Sequence, residues 1–258
     1  MTVGRPIRSV ARTLAWPATH ISRVYPDRVE VRGRDLTGDL MGRLSFTEFF
    51  HLLLTGREPT EDQRFFLDLL LVAIAEHGMM PSNVAARMTL AADPGSLQGA
   101  VAAGILGAGP VVLGTSEECA RLLEEARGSG GDVYEIARAI HAAGAKVPGF
   151  GHPLHRPLDP RAERILELAD ARGASGPHVE LARRLRAAVA EVWGKPLTMN
   201  VAMPIAAVML DLGFPSDAVK AVPILARTAS LLAHLVEERE QPIGFTLARA
   251  AEEAVEHE

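Results

Sequence analysis

Ser45-Phe-Thr-Glu-Phe-Phe-His-Leu-Leu-Leu-Thr-Gly56 begins with a serine, carries a glutamate three residues later and ends in a glycine. A serine at a helix N-cap accepts from the third helical amide, and a glutamate there reaches back to the serine amide. Gly56 offers the left-handed residue on which many helices stop. Between these ends Phe49, Phe50, Leu52, Leu53 and Leu54 supply an apolar face. The same grammar follows at once. Thr60-Glu-Asp-Gln63 starts a run bearing Phe65, Phe66, Leu69, Leu70, Val72 and Ile74, which stops at Glu76-His77-Gly78. Apolar residues also recur at helical spacing over 35–44, from Ser82 through Met88, and from Thr115 through Cys119, Leu122 and Leu123. They recur again over 132–143, 162–171, 178–193, 203–212 and 215–239. Only residues 21–32, with a turn at Pro26-Asp27, read as extended. Alanine-rich helices separated by Gly and Pro turns predict an all-α fold.

Composition narrows the function classes. The chain has 258 residues, 48% of them apolar, enough for one large domain or two unequal ones. Net charge is −5, and no basic patch interleaved with aromatics points to nucleic acid. The single Cys119 excludes an intrachain disulfide framework and fits a reducing, cytoplasmic setting. The longest uncharged apolar run, 99–114, is short for a bilayer and is interrupted by glycines and Pro110, so it reads as a buried helix and not as a membrane anchor. Arg5, Arg8, Arg12 and Arg23 precede the first acid, Asp27, a composition shared with transit peptides. No apolar segment of the secretory type follows, so the first fifteen or so residues read as a mature arm, with a transit peptide as the alternative.

The richest chemistry lies in Lys146-Val-Pro-Gly-Phe-Gly-His-Pro-Leu-His-Arg-Pro-Leu-Asp-Pro-Arg161. Pro148, Gly149 and Gly151 break the backbone directly before His152. Glycine lets the backbone approach a ligand closely, and a histidine on such a loop suits acid–base work at neutral pH. A tight turn between two helices, with His152 merely capping something, explains the same pattern. His155, three residues on, is either a surface residue meeting solvent or phosphates, or a second working group. A His152/His155 metal pair has no third ligand at helical spacing, so no metal is expected.

Together these segments resemble the citrate synthase family. Residues 34–56 resemble an early family segment, and Glu76-His-Gly-Met-Met-Pro-Ser-Asn-Val-Ala-Ala-Arg87 resembles its next histidine motif. Residues 146–161 resemble the glycine–histidine loop, and Asn200-Val201 and Arg227-Thr-Ala-Ser-Leu-Leu-Ala-His-Leu235 resemble the late motifs. The segments occur in order along nearly the whole chain, and the short length resembles the citryl-CoA lyase branch. The resemblance implies a helical homodimer. Its large domain would be 1–112 with 209–258, its small domain 113–208, and the substrates would sit in the cleft between them. It implies coenzyme A thioesters and a keto or hydroxy dicarboxylate as ligands, with no metal. Carried over by motif, His77 and His152 are catalytic, with His152 polarising the keto carbonyl. Arg161 and Arg227 hold carboxylates by bidentate contacts, and Arg249 reaches the partner subunit's site. Lys146, Val147, Pro148, Gly149, Phe150 and Gly151 line coenzyme A.

Two family positions depart. Val112 stands where the synthases carry an enolate-stabilising histidine, and Ala202 stands where the family carries its catalytic aspartate. Neither side chain can exchange a proton. A positioned base contributes on the order of 10²- to 10⁴-fold, so little or no ordinary citrate synthase activity is expected. Glu117, Glu118 and His155 are the nearby substitutes in sequence. Three readings follow from this: a citryl-CoA lyase or an enzyme on a related 3-hydroxy-3-carboxyacyl-CoA; an acyl-CoA or carboxylate binder without catalysis, acting as regulator or subunit; and a related hydrolase or aldolase.

Overall fold

The computed structural model describes residues 18–130 and 132–256. Arg5, Arg8, Arg12 and the arm read around them lie outside the described residues. The chain divides into two compact units, one through Glu58 and one from Pro59 onward.

In the first unit three short antiparallel strands follow in order: β1 (Ser22–Val24), β2 (Val29–Val31) and β3 (Arg34–Asp35). The Pro26-Asp27 turn joins the first two, closed by Tyr25 N donating to Arg28 O at 2.8 Å. The helix expected over 35–44 is only a π-helical turn, Leu36–Leu40. The Asp35 carboxylate takes the Gly38 amide at 2.6 Å and the Thr37 hydroxyl at 2.8 Å. Gly42, at φ +75°, then turns the chain away. Helix α1 (Phe46–Thr55) carries both bonds of its capping box and ends on Gly56 in the left-handed conformation, as its sequence predicts. Val31, Leu40 and Leu52 form the core of this unit.

The second unit is helical: α2 (Glu61–Ala75), α3 (Pro81–Ala92), α4 (Leu97–Leu113), α5 (Thr115–Gly128), α6 (Val133–Ala142), α7 (Pro160–Ala171), α8 (Pro177–Val192), α9 (Ala202–Asp211), α10 (Ser216–Val219), α11 (Ala221–Glu240) and α12 (Gly244–Glu253). The Thr60/Gln63 capping box of α2 is complete. Helix α5 starts from Gly114 with no side-chain cap, so Thr115-Ser-Glu-Glu118 opens it without the capping bonds.

Two expectations are corrected here. The run 99–114 is not a uniformly buried helix. It breaks at Gly109, and Leu106 is 79% exposed. Its packed stripe lies against α3 and α11, where Ala100 and Ile105 join a cluster with Ala86, Leu90, Leu231 and Leu235, and a Cβ on Gly104 would come within 2.7 Å of Leu231. The segment 215–239 is two helices rather than one. Pro223 has no N–H to give the Val219 carbonyl, which leaves a break at Lys220.

Helix α9 is buried almost throughout and packs against α5, α7 and α8. Helix α11 packs against α2, α3 and α4. Ser216–Glu240 is apolar and long enough to cross a membrane by composition, but within this unit it carries the buried Arg227 and Glu238. Those two core helices, α9 and α11, hold the ends of the site described next.

Candidate functional site

The turn after α2, the loop before α7 and the middle of α11 bring their polar side chains together. His77 comes from the first, His152 and His155 from the second. The ring centroids of His152 and His155 are 4.3 Å apart, and those of His77 lie 5.3 and 5.9 Å from them. One nitrogen from each ring lies within 4.8 Å of the others. Arg161, from the first turn of α7, and Arg227, from α11, act electrostatically on His77. The structure thus brings His77, His152, Arg161 and Arg227 together, with His155 as a fifth member.

The loop is fixed by a short antiparallel pairing. Phe150 bridges Met199, Gly151 N donates to Thr198 O at 2.7 Å, and Asn200 N donates to Gly149 O at 2.8 Å. Gly149 sits at φ +77°, and a Cβ there would lie 2.7 Å from Cys119 Sγ and 2.8 Å from Met203 Cβ. Only glycine fits that conformation and that contact. Val147 is buried, Pro148 and Phe150 are half-buried, and Lys146 is exposed at the outer end.

Asp159 anchors the loop's far end. Its buried carboxylate accepts from Arg161 N at 3.0 Å, Nε at 3.1 Å and Nη2 at 2.9 Å, and from Val201 N at 3.2 Å. Burial alone would raise its pKa, but the hydrogen bonds and charge of Arg161 outweigh that and hold it below the usual carboxylate range. Asp159 caps α7, so the cation at Arg161 is balanced locally despite the helix dipole.

The protonation of His152 follows from its bonds. Nδ1 accepts the amides of Leu154 at 3.1 Å and His155 at 2.9 Å. A neutral imidazole has one acceptor and one donor nitrogen, so Nε2 carries the hydrogen. That nitrogen lies 3.5 Å from Arg161 Nη2, also a donor, so the two N–H groups face each other and would share an outside acceptor. Burial, then the neighbouring His155, lowers the His152 pKa against the opposing pull of Asp159. Burial, Arg161, His155 and Arg227 lower that of His77. Both rings are therefore neutral at pH 7.

Three histidines so close raise the question of a metal, for which the sequence offered only two. The arrangement suits an anion better. The Nδ1 lone pair of His152 is engaged and its Nε2 bears a proton, so that ring has no lone pair for a cation. Two guanidiniums stand beside the cluster, and they favour negative charge.

Arg227 is the clearest sign of an anion site. Its residue is 2% exposed, yet Nε and Nη1 have no hydrogen-bond partner, and Nη2 reaches Ile74 O only at 3.5 Å. Burial lowers its pKa, the charge of Glu76 raises it, and that of Arg161 lowers it. Glu76 itself accepts from His77 N at 2.9 Å, Gly78 N at 2.6 Å, the Ser230 hydroxyl and His234 Nε2 at 3.1 Å. Burial opposes ionisation of Glu76, but the Ser230 and Gly78 bonds and His234 overcome it and lower its pKa. Glu76 therefore pins the backbone of His77. His234 is oriented in turn by Arg87, whose Nε donates to Nδ1 at 3.1 Å, while Arg87 Nη1 pairs with buried Glu238 at 3.0 Å.

A cavity of about 510 Å³ opens beside the loop, lined by Gly151, His152, Arg156 and Lys195 among others. Sequence reasoning passed over Glu76, Asp159, Arg156 and Lys195. Asp-Pro was legible as a helix start. The pairing of Glu76 with α11 and the place of Lys195 on the loop's cavity bring together residues far apart in the chain, which spacing does not show.

Arg249 is on α12 with its side chain 73% exposed, 3.8 Å from Glu253. Val112 is half-buried at the end of α4, and Ala202 is buried at the start of α9. Glu117 pairs with Lys220 at 3.0 Å, so it is not a free carboxylate.

The sequence matches the family description "Citrate synthase, C-terminal domain" over residues 7–249. The chain belongs to the citrate synthase family. A solved structure of citryl-CoA lyase from Hydrogenobacter thermophilus matches at a TM-score of 0.86 and 31% identity, with 95% of each chain covered. Citrate synthase from Thermotoga maritima MSB8 gives 0.66 at 25% identity, covering 77% of this chain and 55% of that one. Citrate synthase of Synechocystis is 33% identical over 202 residues, 76% of this chain and 50% of that protein. The chain spans about half the length of the curated citrate synthases it matches. The helical, citrate synthase-like architecture expected from the sequence is the one found.

Proposed function

We propose that this chain is a citryl-CoA lyase-type enzyme, cleaving citryl-CoA or a related 3-hydroxy-3-carboxyacyl-CoA into an acyl-CoA and a keto acid. The carrying observation is a cluster of His77, His152 and His155 that holds an Nε2–H donor at His152 and has a buried, unpartnered guanidinium, Arg227, acting on its His77. A keto acid with a carboxylate beside its carbonyl fits such a pair. The guanidinium takes the carboxylate, and the imidazole N–H takes the oxygen on which negative charge grows. His77, pinned by Glu76, offers a second neutral ring to the same oxygen. Arg156 and Lys195, in the cavity next to His152, suit the phosphates of coenzyme A, with the 146–151 backbone beside them. The likeness to the Hydrogenobacter lyase over 95% of both chains favours the lyase over the synthase.

The same proposal includes the division into 113–208 and the remainder, a cytoplasmic homodimer, and Arg249 serving the partner subunit's site. The exposure of Arg249 in its own chain fits the last point. A second reading, a binder without catalysis, is favoured by Ala202 and Val112. One assay separates them. Purified protein is given citryl-CoA, and acetyl-CoA release is followed with coenzyme A binding measured by calorimetry. Release supports the lyase; binding without release supports the binder; neither refutes both.

A further inference from the structure

Cleavage of a tertiary alcohol between its carbinol carbon and the acyl α-carbon needs a base for the hydroxyl proton and a donor for the new enolate carbon. The carboxylate that the family places at residue 202 is absent, since Ala202 has only a methyl group. The two carboxylates in the cluster are committed. Asp159 holds Arg161 and the Val201 amide, and Glu76 holds two backbone amides, Ser230 and His234. His152 presents an N–H to the cluster and cannot accept there. Among the described residues the His77 and His155 rings make no hydrogen bond, so either could present a lone pair. They differ in surroundings. Burial and the charges of Arg161, His155 and Arg227 oppose a positive His77 more than Asp159 favours one. One nitrogen of the His155 ring lies within 4.8 Å of one on each of His77 and His152. His155 also stacks at 4.3 Å on the ring that holds the reacting oxygen.

We propose that His155 is the proton-carrying base of this site, in place of the family's aspartate. The assignment rests on the lyase reading above. The His155 ring takes the hydroxyl proton, and the oxygen's electron pair forms the keto C=O. The carbon–carbon bond breaks, and its pair passes into the thioester enolate. The protonated ring then gives the same proton to the enolate carbon, releasing the acyl-CoA. No other reactant is consumed, and the ring ends as it began.

The test compares wild type, His155→Gln and His155→Ala on citryl-CoA, with oxaloacetate binding measured by calorimetry. For His155→Gln the expected result is a kcat lower by on the order of 10²- to 10⁴-fold with oxaloacetate affinity little changed. Added imidazole should restore part of the rate to His155→Ala. If wild type cleaves and His155→Gln retains a rate within about tenfold, the assignment is overturned and the lyase reading stands. Loss of oxaloacetate binding in step with rate, without imidazole rescue, also overturns it, making His155 a residue that holds substrate or loop. A wild type that does not cleave citryl-CoA removes the lyase reading and this assignment together.

Discussion

Asp159 shows how one buried side chain can organise a site it does not work in. It caps α7, neutralises Arg161 in a bidentate pair, and ties Val201 at the start of α9 to the histidine loop. Replacing one partner of a buried pair leaves the other charge uncompensated, which costs on the order of 3 kcal/mol. Asp159→Asn should destabilise the protein by about that amount at pH 7, measured by chemical denaturation. The pH dependence has a definite sign. The folded pKa of Asp159 lies below its unfolded value. The stabilisation is therefore full above the unfolded carboxylate value, about 3.9, and fades as pH falls through the folded one. The gap between wild type and Asp159→Asn should narrow in acid. A gap that stays constant down to the acid transition would mean shape, not charge, holds this corner. At this scale the sequence was partly legible. The motif types of His152, Arg161 and Arg227 could be read, because the loop and late motifs are contiguous. That His155 would stand against His77, or Glu76 under Ser230, could not, because those contacts join distant segments.

Elements whose signals are local came through intact. Both capping boxes form as the sequence dictates, since each needs only residues three apart. Where tertiary contacts or a missing amide decide, the sequence misled: the 35–44 helix shrinks to a π-turn, and 215–239 splits at Lys220 ahead of Pro223. The histidine loop belongs to the second kind. Its proline and glycines announced a turn, but its pairing with Thr198–Asn200 and its close fit on Cys119 did not show. Gly149→Ala tests that fit. The substitution combines a positive φ with a Cβ 2.7 Å from Cys119 Sγ and 2.8 Å from Met203 Cβ. Strain of about 1–3 kcal/mol from φ adds to overpacking of about 1–3 kcal/mol. The unfolding midpoint should drop sharply. A Gly151→Ala control has the same positive φ and nothing within 4 Å, so it should drop less. Equal losses at the two positions would discard the packing argument.

For the molecule as a whole, the notable feature is a site that works against the stability of the fold. Arg227 occupies the interior of a core helix with two of its donors unbonded. Each buried, unmade hydrogen bond costs roughly 1–3 kcal/mol, and the nearby Arg161 adds repulsion that Glu76 offsets. A fold under no other demand would do better with an apolar side chain there. Arg227→Met keeps the length and removes the charge. Its ligand-free unfolding midpoint should equal or exceed that of wild type. Oxaloacetate should behave in the opposite way. Ligand that binds only the folded state stabilises it by about 2.7 kcal/mol at one hundred times its Kd. Wild type should gain that stability, and Arg227→Met should gain none. A thermal-shift titration of both proteins reads the two effects at once. If Arg227→Met unfolds much earlier than wild type and still gains stability from oxaloacetate, Arg227 is a structural member of α11 and the anion site lies elsewhere.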